Sequence, residues 1–163
     1  MRVRNVLVFA AGTEIGLEIN QSLSQCKEVQ LFGAGVAGSS HAPFAYERFF
    51  VLPSVSEDGW LAALVDLCQN LRIDYIFPGH DDAVVGLARE QKSIPAIVLT
   101  ASLETCITTR SKRATYGALK HVIRVPKIFD TKSAEFHFPV FVKPDCGQGS
   151  QGVALVHTLG ALS

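Results

Sequence analysis

Apolar and polar positions alternate between two patterns along the first part of the chain. Asn5–Ala10 (Asn-Val-Leu-Val-Phe-Ala) is an almost unbroken apolar run, as expected of a strand covered on both faces. Gly12-Thr13 interrupts it. Glu14–Gln25 then carries Ile15, Ile19 and Leu23 at i, i+4 and i+8, which predicts a helix. Glu28–Phe32 predicts a second strand, and Gly33–Tyr46, rich in glycine and serine and holding Pro43, predicts a loop. Arg48–Leu52 predicts a short strand closed by Pro53. Trp60, Leu61, Leu64, Val65, Cys68 and Leu71 form one apolar helical stripe, with Ser56 or Asp58 as the candidate cap. Asp74–Pro78 predicts a strand, Asp82–Glu90 a helix and Ala96–Leu99 a further strand.

Strands alternating with helices in this order predict an α/β fold: an open, mostly parallel, Rossmann-like sheet with helices on both faces and right-handed crossovers. Ligands of such sheets sit at the carboxyl ends of the strands. The loops Gly12-Thr13-Glu14 and Pro78-Gly79-His80-Asp81-Asp82 fall there. Beyond Thr100 the pattern changes. Leu103–Thr108 and Ser111–Lys120 predict two short helices, and Pro126–Phe129 is extended. Pro139–Lys143 with Val153–His157 predicts an antiparallel hairpin around a glycine-rich tip. The expected organisation is therefore one domain over 1–108 and the beginning of a different subdomain over 109–163.

Composition narrows the partners. Hydrophobic residues make up 48% of the 163 and charged residues 18%, enough to bury a core and too apolar for a disordered chain. Fifteen basic and fifteen acidic residues cancel, so no electrostatic reason exists to expect nucleic acid or an anionic membrane. No apolar run approaches the ~20 residues of a membrane span. Val6–Ala11 is too short for a signal sequence and reads as a buried strand. Cys26, Cys68, Cys106 and Cys146 are widely scattered, without the spacing of a zinc knuckle or redox dithiol. Cys26 and Cys68 fall in predicted helices as small buried apolar residues, and a reducing cytoplasm is the simplest setting.

The segment Gly147-Gln-Gly-Ser-Gln-Gly152 matches G-x-G-x-x-G, yet the β-branched run after it predicts a strand where a dinucleotide site needs a helix. Gly12 and Gly16 have the wrong spacing for that fingerprint, which argues against a Rossmann-type oxidoreductase. No G-x-x-x-x-G-K-[ST] loop exists. A glycine tip between strands can still cover phosphates, because its backbone N–H groups approach the oxygens closely. In protein kinases the phosphate-pairing lysine follows such a hairpin. Here Lys143 precedes it.

A strand ending in Val142-Lys143-Pro144 and running into Gly147-x-Gly149-Ser150-x-Gly152-Val153 resembles the ATP-grasp superfamily. Upstream, Ser111-Lys112-Arg113-Ala114-Thr115-Tyr116-Gly117-Ala118-Leu119 is similar to that family's Asp-Lys-x-x-Thr-Tyr-x-x-Leu helix, with Ser111 where aspartate is common. Arg48–Val55, the Trp60 helix and Asp74–Asp82 resemble the pre-ATP-grasp domain of carbamoyl-phosphate-synthase-like enzymes. The resemblance covers essentially the whole chain. It implies that Lys112 and Lys143 bind ATP phosphates, and that Gly147, Gly149, Ser150 and Gly152 form a flexible cover. It further implies an enzyme that uses Mg-ATP to convert a carboxylate to an acylphosphate, which an amine or other nucleophile attacks. The family's adenine-contacting linker and magnesium-binding residues lie downstream of the hairpin. The expectation is therefore a chain inactive alone, with the remaining ATP-grasp portion supplied in cis or as a split subunit. No catalytic or metal-binding residue is assigned.

Blander readings accompany these. Lys112 and Lys143 can be solvated surface lysines. Glu14, Asp81 and Asp82 can favour helix N-termini or bind substrate; Glu14 suits gripping an acceptor's amino group. His80 reads as a loop histidine, and Trp60, Phe49 and Phe50 as core. The alternative function is a non-catalytic module that binds a small ligand or docks to a partner. Val140, Phe141, Val153 and Leu155 are candidates for exposed apolar surface and hence for a homo-oligomer.

Overall fold

The computed structural model describes residues 2–38, 40–129, 137–147 and 149–162. Five strands, β1 (Arg4–Phe9), β2 (Val29–Gly35), β3 (Phe49–Val51), β4 (Tyr75–Pro78) and β5 (Ile97–Val98), form one parallel sheet in the order β3-β2-β1-β4-β5. β1 lies at the centre, flanked along Arg4–Phe9 by β2 and along Val6–Phe9 by β4. The chain winds outward from β1 to β2 and β3, then crosses to β4 and β5 on the other side. Right-handed crossovers in opposite directions put their helices on opposite faces.

The two faces have separate cores. Leu7 and Phe9 of β1 pack with Phe32, with Leu64 and Cys68 of α3 (Trp60–Leu71), and with Ala83 and Leu87 of α4 (Asp81–Glu90). Val8 points the other way, into a smaller core with Ala11, Ala42 and Tyr46, against which Leu17 and Ile19 of α1 (Glu14–Leu23) pack. The continuous apolar run of the first strand is thus the period-two pattern of a strand with two covered faces. Trp60 stacks on Phe9 with ring centroids 6.1 Å apart, and Phe49, Phe50 and Trp60 are half-buried at the margins of these cores.

Three local expectations are corrected. The predicted loop from Gly33 begins too early, since Gly33, Ala34 and Gly35 continue β2, pairing with β3, and Gly33 and Ala34 with β1 as well. A Cβ on Gly33 would lie 2.7 Å from the Tyr46 ring, so the glycine serves close packing and not a turn. Within the same segment Ala42–Ala45 forms the short helix α2. Ser39 and Gln148, which fall in the predicted loop and hairpin tip, lie outside the described residues. Next, neither Ser56 nor Asp58 caps α3. Gly59 is the cap residue, at φ 79, while the Ser54 and Ser56 hydroxyls bond each other at 2.7 Å and Glu57 takes the Ser54 N–H. Lastly, Cys26 is exposed and lies beyond α1, in a turn closed by its own N–H on the Leu23 carbonyl.

The chain divides into two compact units, Met1–Cys106 and Ile107–Ser163. Helix α5 (Leu103–Arg110) crosses that division, and α6 (Lys112–Leu119) belongs to the second unit. There β6 (Val140–Val142) and β7 (Ala154–Val156) pair antiparallel, with Phe141 opposite Leu155. These two share a face and are 64% and 57% exposed, whereas Val156 on the other face is buried. Among the described residues no helix is long and apolar enough to cross a membrane.

Gly33→Ala should lower stability by about 1–3 kcal/mol in urea denaturation, because the added methyl collides with a ring that has no room to retreat. Phe44→Ser, at a residue 91% exposed, should leave stability within about 0.5 kcal/mol. An unchanged midpoint for Gly33→Ala would contradict the packing described. Burial raises the Cys68 thiol to about 12, and Cys106 is also buried, while Cys26 and Cys146 are exposed. Thiol titration of the native protein should therefore modify Cys26 and Cys146 quickly and reach Cys68 and Cys106 only on unfolding. Rapid native labelling of Cys68 is the outcome that counts against it.

Candidate functional site

In the second unit the hairpin and α6 are held together at one end. Ser111 caps α6, its hydroxyl accepting the Ala114 N–H at 3.0 Å and donating to the Asp145 carboxylate at 2.7 Å. The same carboxylate accepts the Arg113 N–H at 2.7 Å. A negative group therefore sits at the positive end of the helix. The Arg113 N–H, then the Ser111 hydroxyl, hold the Asp145 carboxyl below the usual carboxylate range.

Lys112 also reaches the glycine segment, its ammonium donating to the Asp145 carbonyl at 3.1 Å and the Gly147 carbonyl at 3.2 Å. Lys143, immediately after β6, donates to the Tyr116 hydroxyl at 2.6 Å and lies 5.2 Å from the centroid of that ring. Lys112 and Tyr116 are one turn apart on α6, so both ammonium groups are drawn to one helix face. At the tip Gly149, Ser150 and Gly152 adopt φ of 60, 58 and 68°. Side chains rarely adopt this left-handed region, which glycine enters without strain. The arrangement gathers two cations and a glycine backbone, the donor set that phosphate oxygens need.

In the first unit the carboxyl ends of β1, β2 and β4 surround a cleft of about 440 Å³. Thr13 is among its lining residues. The Thr13 hydroxyl donates to the Gly79 carbonyl, shares its proton with the Ala10 carbonyl at 3.1 Å, and accepts the Gly16 N–H as the cap of α1. Gly79 is required for this approach, since a Cβ there would lie 2.6 Å from the Ala10 carbonyl oxygen. His80 caps α4, its Nδ1 accepting the Asp82 N–H at 3.1 Å. The capping role expected of Asp81 or Asp82 thus falls to His80, and both aspartates occupy the first turn. Asp82 lines the cleft, 3.7 Å from His80 Nδ1. Glu14 begins α1 as an exposed residue outside the lining, and Asp81 begins α4, half-buried, also outside it.

Sequence reasoning passed over Thr13, Tyr116 and Asp145. Thr13 was legible as a threonine directly before a helical stripe. Tyr116 stood in the matched helix motif, but its partner Lys143, 27 residues away, had no local signal, and neither had Asp145, 34 residues from Ser111. Among the described residues no group of three or more His, Cys, Asp or Glu side chains is placed to hold a metal ion.

The Asp145 carboxyl is expected to titrate below ordinary aspartate in carbon-detected NMR, and Ser111→Ala should move the midpoint up. Its folded pKa lies below the unfolded value of about 3.9, so the charged form favours folding. This contribution is complete at neutral pH and is lost as pH falls through the folded value. Asp145→Asn should accordingly destabilise the native protein at neutral pH, by an amount that shrinks as pH falls through the folded value. A midpoint at or above the ordinary value would exclude the network.

No protein-family model matches the sequence, and no curated protein matches it. Solved structures do resemble it. The biotin carboxylase domain of Hydrogenobacter thermophilus 2-oxoglutarate carboxylase, a dimer in complex with MgADP, ADP and bicarbonate, superposes with a TM-score of 0.67 at 19% identity, covering 99% of this chain and 39% of that one. N5-carboxyaminoimidazole ribonucleotide synthetase of Thermotoga maritima gives 0.68 at 18% identity, covering 96% and 41%. N5-carboxyaminoimidazole synthetase of Staphylococcus aureus gives 0.65 at 15% identity, covering 99% and 44%. The chain spans less than half the length of these solved structures. Over the part it covers, its fold is like that of these carboxylase and synthetase structures.

Proposed function

We propose that this chain is the N-terminal portion of an ATP-dependent carboxylate ligase, with a first domain over about 1–108 and the beginning of the ATP-grasp subdomain over 109–163. The observation that carries the reading is the convergence of Lys112 and Lys143 on one face of α6, beside a hairpin tip of left-handed residues. The Staphylococcus aureus synthetase has also been solved with ADP, and the Hydrogenobacter domain with MgADP. Nucleotide phosphates would exchange with the Asp145 and Gly147 carbonyls for Lys112 and with the Tyr116 hydroxyl for Lys143. The tip N–H groups would cover the oxygens.

The donor set fits phosphate, and among the described residues no group of three or more His, Cys, Asp or Glu side chains stands together as a candidate metal site. No step through the metal is therefore assigned to this chain. In the complete enzyme, by this reading, the lysines orient the transferring phosphate and offset its charge as a carboxylate attacks. The cytoplasm is the proposed compartment. The exposed Phe141–Leu155 pair is proposed to be covered by the remainder of the ATP-binding part or, in its absence, by a second copy.

A second reading has its own support. The cleft of the first unit is lined wholly by residues of that unit, so a small-ligand-binding module needs nothing further from the chain.

Titration of the protein with MgADP, followed by amide chemical shifts, tests the ligase reading. Perturbations should centre on Lys112, Lys143 and residues 147–152. Lys143→Ala and Lys112→Ala should each weaken binding about tenfold, the loss expected for one charge-assisted hydrogen bond. No binding at millimolar nucleotide, or binding indifferent to both substitutions, would remove nucleotide recognition from this hairpin.

A further inference from the structure

The chain is neutral as a whole, yet its charge is segregated. Met1–Cys106 carries seven Lys and Arg against twelve Asp and Glu, and Ile107–Ser163 carries eight against three. The first unit thus has an excess of five acidic groups and the second an excess of five basic ones. The basic excess is concentrated. No acidic residue falls between Thr105 and Phe129, where Arg110, Lys112, Arg113, Lys120, Arg124 and Lys127 all stand. The nucleotide reading uses Lys112 alone of these. Lys120, Arg124 and Lys127 lie past α6 and are exposed, and among the described residues none of the three forms an ion pair.

Apolar side chains are interleaved with these cations. The Val122 and Ile123 N–H groups both donate to the Leu119 carbonyl, at 2.9 and 3.0 Å, so an ordered turn presents their side chains, 77% and 56% exposed. A phosphate offers nothing to pack on that apolar area, whereas a protein surface does. An anionic bilayer attracts the basic segment but repels the acidic first unit of the same chain. The first unit itself offers the complement. Phe44, 91% exposed, is fixed on α2: the Phe44 and Ala45 N–H groups donate to the His41 carbonyl, and the Asn20 side chain of α1 holds the Ala45 carbonyl at 3.1 Å. Glu47 follows three residues on, exposed, and neither α1 nor α2 contains a basic residue.

We infer that the exposed segment Lys120–Lys127 is a docking surface for a second copy of this chain, with Val122 and Ile123 against Phe44 and the basic side chains against the acidic first unit. The apolar contact supplies an anchor, and the opposed charges set which surfaces meet. The two surfaces differ, so the contact either closes reciprocally in a dimer or continues along a row of copies. It depends neither on the ligase reading nor on the Phe141–Leu155 face.

Sedimentation velocity of the whole chain over a range of concentrations tests the contact. The average mass should rise with concentration to a dimer or beyond, and raising salt from about 0.05 to 0.5 M should weaken the association about tenfold. Phe44→Ser and Val122→Ser should each weaken it about thirtyfold, the loss typical of an interface anchor. Mixed together, these two variants should pair with each other, since the first keeps the basic segment and the second keeps Phe44. Lys120→Glu combined with Arg124→Glu should also abolish association, and circular dichroism of each variant controls for folding. A chain that stays monomeric overturns the inference, including one that cosediments instead with phosphatidylserine vesicles. So does association indifferent to salt, or a failure of the two variants to pair. Loss of association on Phe141→Ser but not on Phe44→Ser overturns it as well, by moving the contact to the hairpin. A failed MgADP titration bears on the ligase reading alone.

Discussion

Burial of β1 on both faces is the constraint on which the rest of the first unit depends. Leu7 and Phe9 anchor the larger core and Val8 the smaller one, so one strand nucleates two helical layers. Its pairing with β2 and β4 brings their carboxyl ends to one edge. At that edge Ala10 follows the strand in the left-handed region at φ 64, and Thr13 ties the turn to Gly79 beyond β4. The cleft therefore exists because the winding direction reverses at β1, which leaves a crevice where the connecting loops part.

The second unit is organised by charge placement. One carboxylate, Asp145, satisfies the N-terminus of α6, and the lysine next to the cap reaches back to the carbonyls that follow it. Helix and glycine segment are thereby closed on each other through polar contacts exposed to water. Such contacts are individually weak and exchangeable. By the proposed ligase reading, a phosphate would have to displace the internal partners of both lysines, which contacts of this kind permit. The Phe141–Leu155 face, exposed on an otherwise ordered hairpin, is the apolar counterpart of the same openness.

Much of the architecture was legible in the chain. The period-two and 3.6-residue patterns located every strand of the parallel sheet and the helices α1, α3 and α4 beside it, though not the short α2, because burial on defined faces writes itself into residue order. The glycine-rich segment was legible as a hairpin tip through the β-branched run after it. Local chemistry misled where tertiary packing overrode it. Gly33-Ala34-Gly35 reads as loop, yet forms strand because it pairs with the neighbouring strands, and Gly33 is glycine because the Tyr46 ring packs against it. Ser56 reads as a cap, yet bonds Ser54.

By itself the sequence determined the alternation of elements, the sidedness of β1 and the order of lysine before glycines, all carried by near neighbours along the chain. Only the tertiary structure decided that Asp145 holds α6, that Lys143 rests on Tyr116, and that Asp82, but neither Glu14 nor Asp81, lines the cleft. These depend on contacts across long separations and on which way a side chain leaves its turn. Neither is encoded in local residue spacing, because both are set by how the packed elements meet.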